Sequence, residues 1–440
     1  METSQLTRTD QPTPESVFAP VADRPGSVWL DSSMHFGDRG RRSFIAVDPQ
    51  LDVGLDGDRV VVTSRDRRID MYPGARIWDL LLSLWEDRRY FSVGYIAYEA
   101  TLPFLGLVSE RRSTIPSVRF LFYGSVRCFD HECQGQFEYL DDPDLRCDLW
   151  LSGAPHRTTR NGRIWRMTTE RKDYLERVRA IKHSIREGDI YQANFTTRID
   201  VRSDEPPFDV YCRLRRLNPA PDGAYLNFGA YQGLSSSPER MFTRQGRHIR
   251  TGPIKGTIAG GHDPAQTDRN RRRLVQSEKN RAELLMIVDL ERNDLGRIAR
   301  PGTVKVDRLF GTETYSSVIH LVSDISAELT PEVSLTDILF AMLPGGSITG
   351  APKKRAVEII EQLENTPRSI YTGCIGYVHG DEADFNIAIR TMTRADSVYR
   401  IHAGGGIVAD SEPEAEYREM LLKARNLLRA VGAGGDPSLC

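Results

Sequence analysis

Arg250-Thr-Gly-Pro-Ile-Lys-Gly-Thr-Ile-Ala-Gly-Gly261 sets one lysine, Lys255, between a proline and a cluster of glycines. Pro253 fixes its own φ and disfavours helix at Gly252, while Gly256, Gly260 and Gly261 permit conformations and close approaches that a side chain would block. Lys255 is therefore held at a strand end or in a loop. A lysine so placed is ordinarily a solvated surface charge. To act as a catalytic amine it needs a lowered pKa and a nearby electrophile.

The 440 residues allow two or three average domains or one large intertwined unit. Lys plus Arg total 59 against 61 Asp plus Glu, so no global charge favours nucleic acid or an anionic membrane. The six cysteines form no CxxC pair and have no histidines at zinc-finger spacing, which suits a reduced setting. The N-terminus lacks an apolar signal core, and no run approaches the roughly 18 apolar residues of a membrane span. A cytoplasmic protein with no membrane and no nucleic-acid partner is expected.

Residues 1–26, with Pro12, Pro14, Pro20 and Pro25 among polar neighbours, read as a flexible tail. Short β-branched or aromatic runs at 27–32, 43–47, 59–63, 91–98 and 118–129 predict strands, and 77–85 a buried helix. Residues 141–161 read as a connection. Tyr174, Val178, Ile181 and Ile185 recur at helical spacing and predict a helix over 169–187 that Gly188 stops. A turn and strand follow in Gly188-Asp-Ile-Tyr-Gln-Ala-Asn-Phe-Thr-Thr197. In 234–242, Pro238 ends regular pairing just before Glu239, in isolation an ordinary surface charge. The basic run 268–273 is commonest as a solvated helix face.

In 277–294, Glu283 shares a helical face with Ile287 and Leu290, and burying such a carboxylate unpaired is costly. His320 sits in an apolar strand, where a lone histidine is usually a satisfied core residue. Pro344-Gly-Gly-Ser-Ile-Thr-Gly-Ala-Pro-Lys-Lys-Arg355 lacks the lysine of a phosphate loop, yet the start of the helix 353–363 can hold a carboxylate through free N–H groups. A hairpin over 373–378 and 385–392 places Asn386, Ala388 and Arg390 on one face, with Tyr377 sharing it in a suitable register. His402-Ala-Gly-Gly-Gly-Ile-Val-Ala409 is interrupted before any helix, so it is no dinucleotide site. Ser411 and Glu414 predict a capping box for a helix running to about Val431, which carries Glu416, Glu419 and Lys423 on one face.

Carboxylates from two helices suit Mg²⁺, and the glycine loops, Arg390, Tyr377 and Lys423 offer donors to a small polyanion such as a dicarboxylate.

Gly188-Asp-Ile-Tyr-Gln-Ala-Asn194, Ser237-Pro-Glu-Arg240, Pro253-Ile-Lys-Gly-Thr257, Arg281-Ala-Glu-Leu-Leu-Met-Ile-Val-Asp-Leu-Glu-Arg-Asn-Asp294, Gly345-Gly-Ser-Ile-Thr-Gly-Ala-Pro-Lys353 and Gly404-Gly-Gly-Ile-Val-Ala-Asp-Ser411 together resemble the chorismate-utilising enzymes. The resemblance covers roughly 168–432 densely and in order. It implies an α+β fold like that of anthranilate synthase component I, with two packed β-sheets around a central active site and helices outside. Residues 27–160 would be woven into the same unit as a catalytic domain at 161–432, followed by a loose 433–440. The resemblance makes Glu283, Glu416 and Glu419 ligands of Mg²⁺, with Glu416 acting directly or through water. It places Arg390 and Tyr377 on the pyruvyl carboxylate, and Thr257, Thr349, Lys423 and the backbone of Gly404, Gly405 and Gly406 around the ring and its carboxylate. Glu239 resembles the acid that protonates the departing C4 hydroxyl, His320 a site histidine near the ring, and Lys255 a covalent nucleophile.

Anthranilate-forming members usually carry alanine where Lys255 stands, so the resemblance implies amination at C4 to 4-amino-4-deoxychorismate, a precursor of p-aminobenzoate and folate, with ammonia delivered by a separate glutamine amidotransferase subunit. Anthranilate synthase component I or an isochorismate or salicylate synthase forms the alternative, and a non-catalytic chorismate- or tryptophan-binding regulator the alternative of a different class. Trp29-Leu-Asp-Ser32 departs from the Leu-Leu-Glu-Ser of tryptophan-binding relatives.

Overall fold

The computed structural model describes residues 12–34, 39–64, 69–133, 135–141, 164–261, 263–314 and 318–433. The connection expected over 141–161 and the C-terminal residues 434–440 lie almost wholly outside them. Among the described residues the strands form an 11-stranded and a 12-stranded sheet, paired antiparallel throughout, with Gly350–Ala351 joined to the side of Gln192–Arg202 in the first and Lys305–Thr314 to the side of Val318–Glu328 in the second.

The first sheet runs, in spatial order, through Ile164–Met167, Gln192–Arg202, Val398–Ile407, Thr391–Ala395, Tyr231–Ser237, Asp222–Asn227, Val28–Asp31, Arg42–Ala46, Ser125–Asp130 and Gly135–Asp141. The second runs through Ile254–Ala259, Val318–Glu328, His248–Gly252, Arg240–Gln245, Glu382–Ile387, Cys374–His379, Phe91–Ile96, Val118–Tyr123, Leu51–Asp56, Arg59–Ser64 and Ile69–Pro73. In each sheet the strands before residue 142 form one end and join a block of strands from later in the chain.

The apolar pattern explains the layering. Phe195, Ile199, Val201, Ile401 and Ala403 pack under the helices Arg171–Arg186, Pro207–Leu217 and Pro413–Val431, whose buried residues recur at helical spacing. Phe122, Phe385 and Leu321 lie in a second core with the helices Ile77–Glu86, Glu278–Gly296 and Leu335–Met342. Phe44, Tyr95, Leu121, Leu226 and Tyr231, drawn from both sheets, form the cluster between them. Helices therefore cover the outer faces, and the sheets pack on each other.

Three expectations need correction. Residues 12–26 are not a loose tail: Pro14–Phe18 is helical, capped by the Thr13 side chain, and Phe18 is 0 % exposed against Trp29 and Phe208. Burying such a side chain contributes roughly 1.5–3 kcal/mol, which orders a segment whose composition alone does not. The run 118–129 is two strands that belong to different sheets and meet at Gly124. The second arm of the hairpin is likewise broken, because Arg390 has φ +51° and the chain passes from one sheet to the other between Ile387 and Thr391. A third passage lies at Pro238-Glu239, between Tyr231–Ser237 and Arg240–Gln245.

One buried guanidinium joins several of these parts. Arg368, 0 % exposed, donates to the carbonyls of Ile348 (2.9 Å) and Asn194 (2.6 Å) and to both carboxylate oxygens of Glu364 (2.7 and 2.9 Å), and lies over the Tyr98 ring. Glu364 also accepts from the backbone N–H and hydroxyl of Thr196. Removing one partner of a buried pair leaves the other charge uncompensated, so Arg368→Met should destabilise the fold by about 3–5 kcal/mol. Denaturant unfolding checks it, and a loss below about 1 kcal/mol would contradict this role.

Candidate active site

Lys255 lies on the edge strand Ile254–Ala259, which pairs with Val318–Glu328. The register slips between Lys255 and Thr257, where Gly256 takes φ +73° and a Cβ would come within 2.9 Å of Asn280 Cγ. This bulge re-aims the strand as only glycine permits. The Lys255 ammonium donates to the Ser347 carbonyl at 3.2 Å. Burial holds its pKa below the ordinary lysine range, helped by Lys423, against the opposing pull of Glu239, Glu283 and Glu419. The amine is not an ordinary solvated charge.

Glu239 occupies the passage between the sheets. Its backbone N–H donates to the Ser237 hydroxyl at 3.2 Å, that hydroxyl donates to Ile387 O at 2.6 Å, and Ile387 N–H returns a bond to Glu239 O at 2.9 Å. Burial raises the pKa of its carboxyl, with Lys255 the largest opposing influence. His320 Nδ1 and the Thr257 hydroxyl share a hydrogen bond of 2.8 Å, and burial depresses this imidazole to about 4, aided by Arg390 and Arg39. It is neutral at physiological pH.

A carboxylate cluster faces this strand. Gly405 marks its centre: a Cβ there would stand 3.3 Å from Lys423 Nζ, 3.4 Å from Glu416 Oε2 and 3.9 Å from Glu419 Oε1. Lys423 donates to Gly404 O at 3.0 Å and pairs with Glu419 at 2.7 Å. Gly404 and Gly406 serve close packing instead, against Phe195 O and the Gln192 amide. Burial pushes Glu416 up in pKa, opposed by the Ser411 hydroxyl that donates to it at 2.7 Å. For Glu419 burial pulls the same way, but Lys423 outweighs it and the carboxyl sits below its usual range.

The capping box is corrected here. Pro413 locks the first helical position, the helix starts from Glu412 without a side-chain cap, and Ser411 serves Glu416 instead. Glu283 is also not the buried carboxylate of its helix. The buried face runs Leu284, Ile287, Val288, Glu291, Asp294 and Leu295, while Glu283 lies at its edge, 3.9 Å from Lys279. Among the described residues no group of three His, Cys, Asp or Glu side chains is drawn together as a metal cage. The expected carboxylates are nonetheless linked through one lysine. Glu416 and Glu419 flank the open face of Gly405, both feel Lys279, and Lys279 in turn contacts Glu283.

Arg390 donates to Lys423 O at 2.7 Å, and burial lowers its pKa against the influence of Tyr371 and Glu419. Tyr377 does not join it. Its ring stacks on Phe91 at 4.9 Å and lines a separate cavity of about 410 Å³ with Phe44, Asp222, Arg240 and Asn386. Because the strand breaks before Arg390, the hairpin face that was to unite them does not exist. The phenol beside Arg390 is Tyr371, stacked on His402 at 5.2 Å. Thr349 is buried, and its hydroxyl donates to Gly345 O at 2.7 Å while its carbonyl accepts from Asn194 N–H.

Sequence reasoning passed over Gln192, Glu291 and Arg39. Gln192 is 1 % exposed beside Gly406, with neither amide atom hydrogen-bonded in the protein. Glu291 accepts from Thr251 at 2.7 Å, and burial pushes it up to about 8. Its spacing of four from Ile287 was available to a periodicity search.

The two-sheet sandwich with this cluster between its crossings defines a chorismate-family site. Residues 35–429 match the chorismate binding enzyme family, to which the chain belongs. It is similar to aminodeoxychorismate synthase component 1 of Salmonella typhimurium, 41 % identical over 435 residues and 95 % of each chain. Over 259 residues it is 46 % identical to anthranilate synthase component 1 3 of Haloarcula marismortui, a stretch that is 59 % of this chain and 52 % of that relative. It superposes on anthranilate synthase component I from Streptococcus pneumoniae with TM-score 0.77 at 27 % identity, over 90 % of this chain and 93 % of that one. No helix among the described residues is long and apolar enough to cross a membrane.

Gly405→Ala should leave the thermal midpoint near wild type, since the contacts are with side-chain ends, but weaken chorismate binding at least about tenfold, ~1.4 kcal/mol. Calorimetric titration checks it, and unchanged affinity would remove the Gly405 face from the site.

Proposed function

We propose that this chain aminates chorismate at C4 to give 4-amino-4-deoxychorismate, with ammonia supplied by a glutamine amidotransferase partner. The observation that carries the proposal is the amine of Lys255, lowered in pKa and set near the raised carboxyl of Glu239. Burial pushes both members of the pair toward their neutral forms, the direction that nucleophile and general acid need. The likeness to the Salmonella synthase over 95 % of each chain supports the choice of substrate.

Neutral Lys255 attacks C2 of chorismate, the ring double bonds shift, and the C4 hydroxyl leaves with the proton of Glu239 as water. Ammonia then adds at C4, the bonds shift back, and the Lys255–C2 bond breaks. The proton released by the incoming amine returns to Glu239. Glu283, Glu416 and Glu419 would hold Mg²⁺, with Lys279 and Lys423 giving way, and the ion when bound supplies Lewis-acid polarisation of the ring carboxylate. Arg390 with Tyr371 binds the pyruvyl carboxylate, and Thr349 and Lys423 border the ring carboxylate. Neutral His320 and Thr257 orient each other along the ring edge.

The 46 % stretch shared with the Haloarcula relative favours anthranilate formation as the second reading. Incubation with chorismate, Mg²⁺ and ammonium, with products identified by mass, separates the two: 4-amino-4-deoxychorismate is expected, and anthranilate, salicylate or isochorismate as main product would overturn the proposal. Lys255→Ala should lower kcat by at least about a hundredfold, ~2.7 kcal/mol, and an unaffected rate would remove the covalent step. The pH profile of kcat should be a bell. It rises as Lys255 loses its proton below the usual lysine range, and falls as Glu239 ionises above the usual carboxylate range. A profile flat across both limbs would contradict these roles. EDTA should abolish turnover, and Mg²⁺ restore it.

A further inference from the structure

A chain leaving one sheet for another loses its ladder partners, so the backbone groups at the crossing must be held by side chains. At Pro238-Glu239 the Pro238 carbonyl is held by Arg39, a residue far away in sequence. The Arg39 guanidinium is 5 % exposed and spans three elements. It donates to the Pro238 carbonyl, to Asp222 at 2.9 Å at the start of the strand Asp222–Asn227 of the first sheet, and to Glu313 at 3.1 Å on the strand Lys305–Thr314 of the second. Glu313 is itself buried, stands opposite His320 in register, and is bridged on its other oxygen by Arg308 at 3.1 Å.

We infer that Arg39 is a positioning residue for the acid Glu239: it pins both sheets and the crossing between them, and so fixes where the Glu239 carboxyl meets the substrate. A planar guanidinium can address three directions in one fixed fork, which a lysine ammonium on a flexible stem does not reproduce. The reading rests on the C4-amination proposed above for its kinetic arm. The groups facing the Glu239 carboxyl are Lys255, Arg39 and Glu291, with the Ser347 hydroxyl and the Ile254 N–H. Arg39 favours the ionised form of Glu239. Loss of its charge therefore raises the Glu239 pKa and carries the alkaline limb of activity to higher pH.

The test uses the full chain with R39M and R39K, measuring kcat and KM for chorismate with ammonium across pH, and hydrogen exchange at 236–242 against the strand 192–202. R39M should lose about tenfold or more in kcat with chorismate KM within about twofold, shift the alkaline limb upward, and speed exchange at 236–242 alone. R39K, which keeps the charge, should leave the limb in place and recover part of kcat. Unchanged kcat and limb in R39M, or kcat and KM falling together with faster exchange everywhere, would overturn the positioning role. Should R39M fail to fold, Glu313→Gln removes one anchor and should produce the same local exchange change, whose absence would overturn the role. If the wild-type chain makes no aminated product, the proposed function fails, while exchange at 236–242 still decides whether Arg39 pins the crossing.

Discussion

Arg368 is the constraint on which the rest of the structure depends. A guanidinium with no exposed surface is tolerable only if its donors and charge are met, and here Glu364, two backbone carbonyls, a threonine hydroxyl and the Tyr98 face meet them. Those partners belong to the loop before Thr349, the strand that starts at Gln192, and the end of the helix Lys353–Leu363. Asn194 N–H in turn bonds Thr349 O, and Glu99, raised by burial to about 7, accepts the N–H groups of Arg368 and Ser369. The glycine loop that carries Ser347, the acceptor for Lys255, is therefore set from beneath by buried ion-pair chemistry.

The second organising fact is that the candidate site groups stand where regular pairing stops. Glu239 and Arg390 lie on passages between the sheets, Lys255 beside a bulge, and Gly405 in a strand whose missing side chain opens onto Lys423 and Glu416. Breaks in a ladder leave side chains aimed into the space between layers instead of into a core. Burial there pushes the lysine down and the carboxyls up, so the pKa values follow from position as much as from residue type.

A cavity of about 970 Å³ is lined by Arg39, Arg240, Arg308, Glu313 and Asp324, and neither Lys255 nor Glu239 lines it. The smaller cavity is lined by Tyr377 and Phe44, which pack on each other at 5.0 Å, and not by Arg390. Neither cavity is lined by Lys255, Glu239, Arg390 or Gly405.

Much was legible from residues alone: the helices at 171–186 and 413–431 from their periodicity, the strand ends from proline and glycine, and the family from motifs that keep their order. Local periodicity reports which face of an element is apolar, and motifs report what touches the substrate. Neither reports which sheet a strand joins. That is why 118–129 read as one strand, Tyr377 stood in for Tyr371, and Glu283 was taken for the buried carboxylate in place of Glu291. By itself the sequence determined the α+β class, the chorismate family and Lys255 as a candidate nucleophile. Tertiary structure alone decided that this lysine is held below its ordinary pKa and that Arg39 reaches the Pro238 carbonyl beside Glu239, because desolvation and contacts across 200 residues of chain depend on packing.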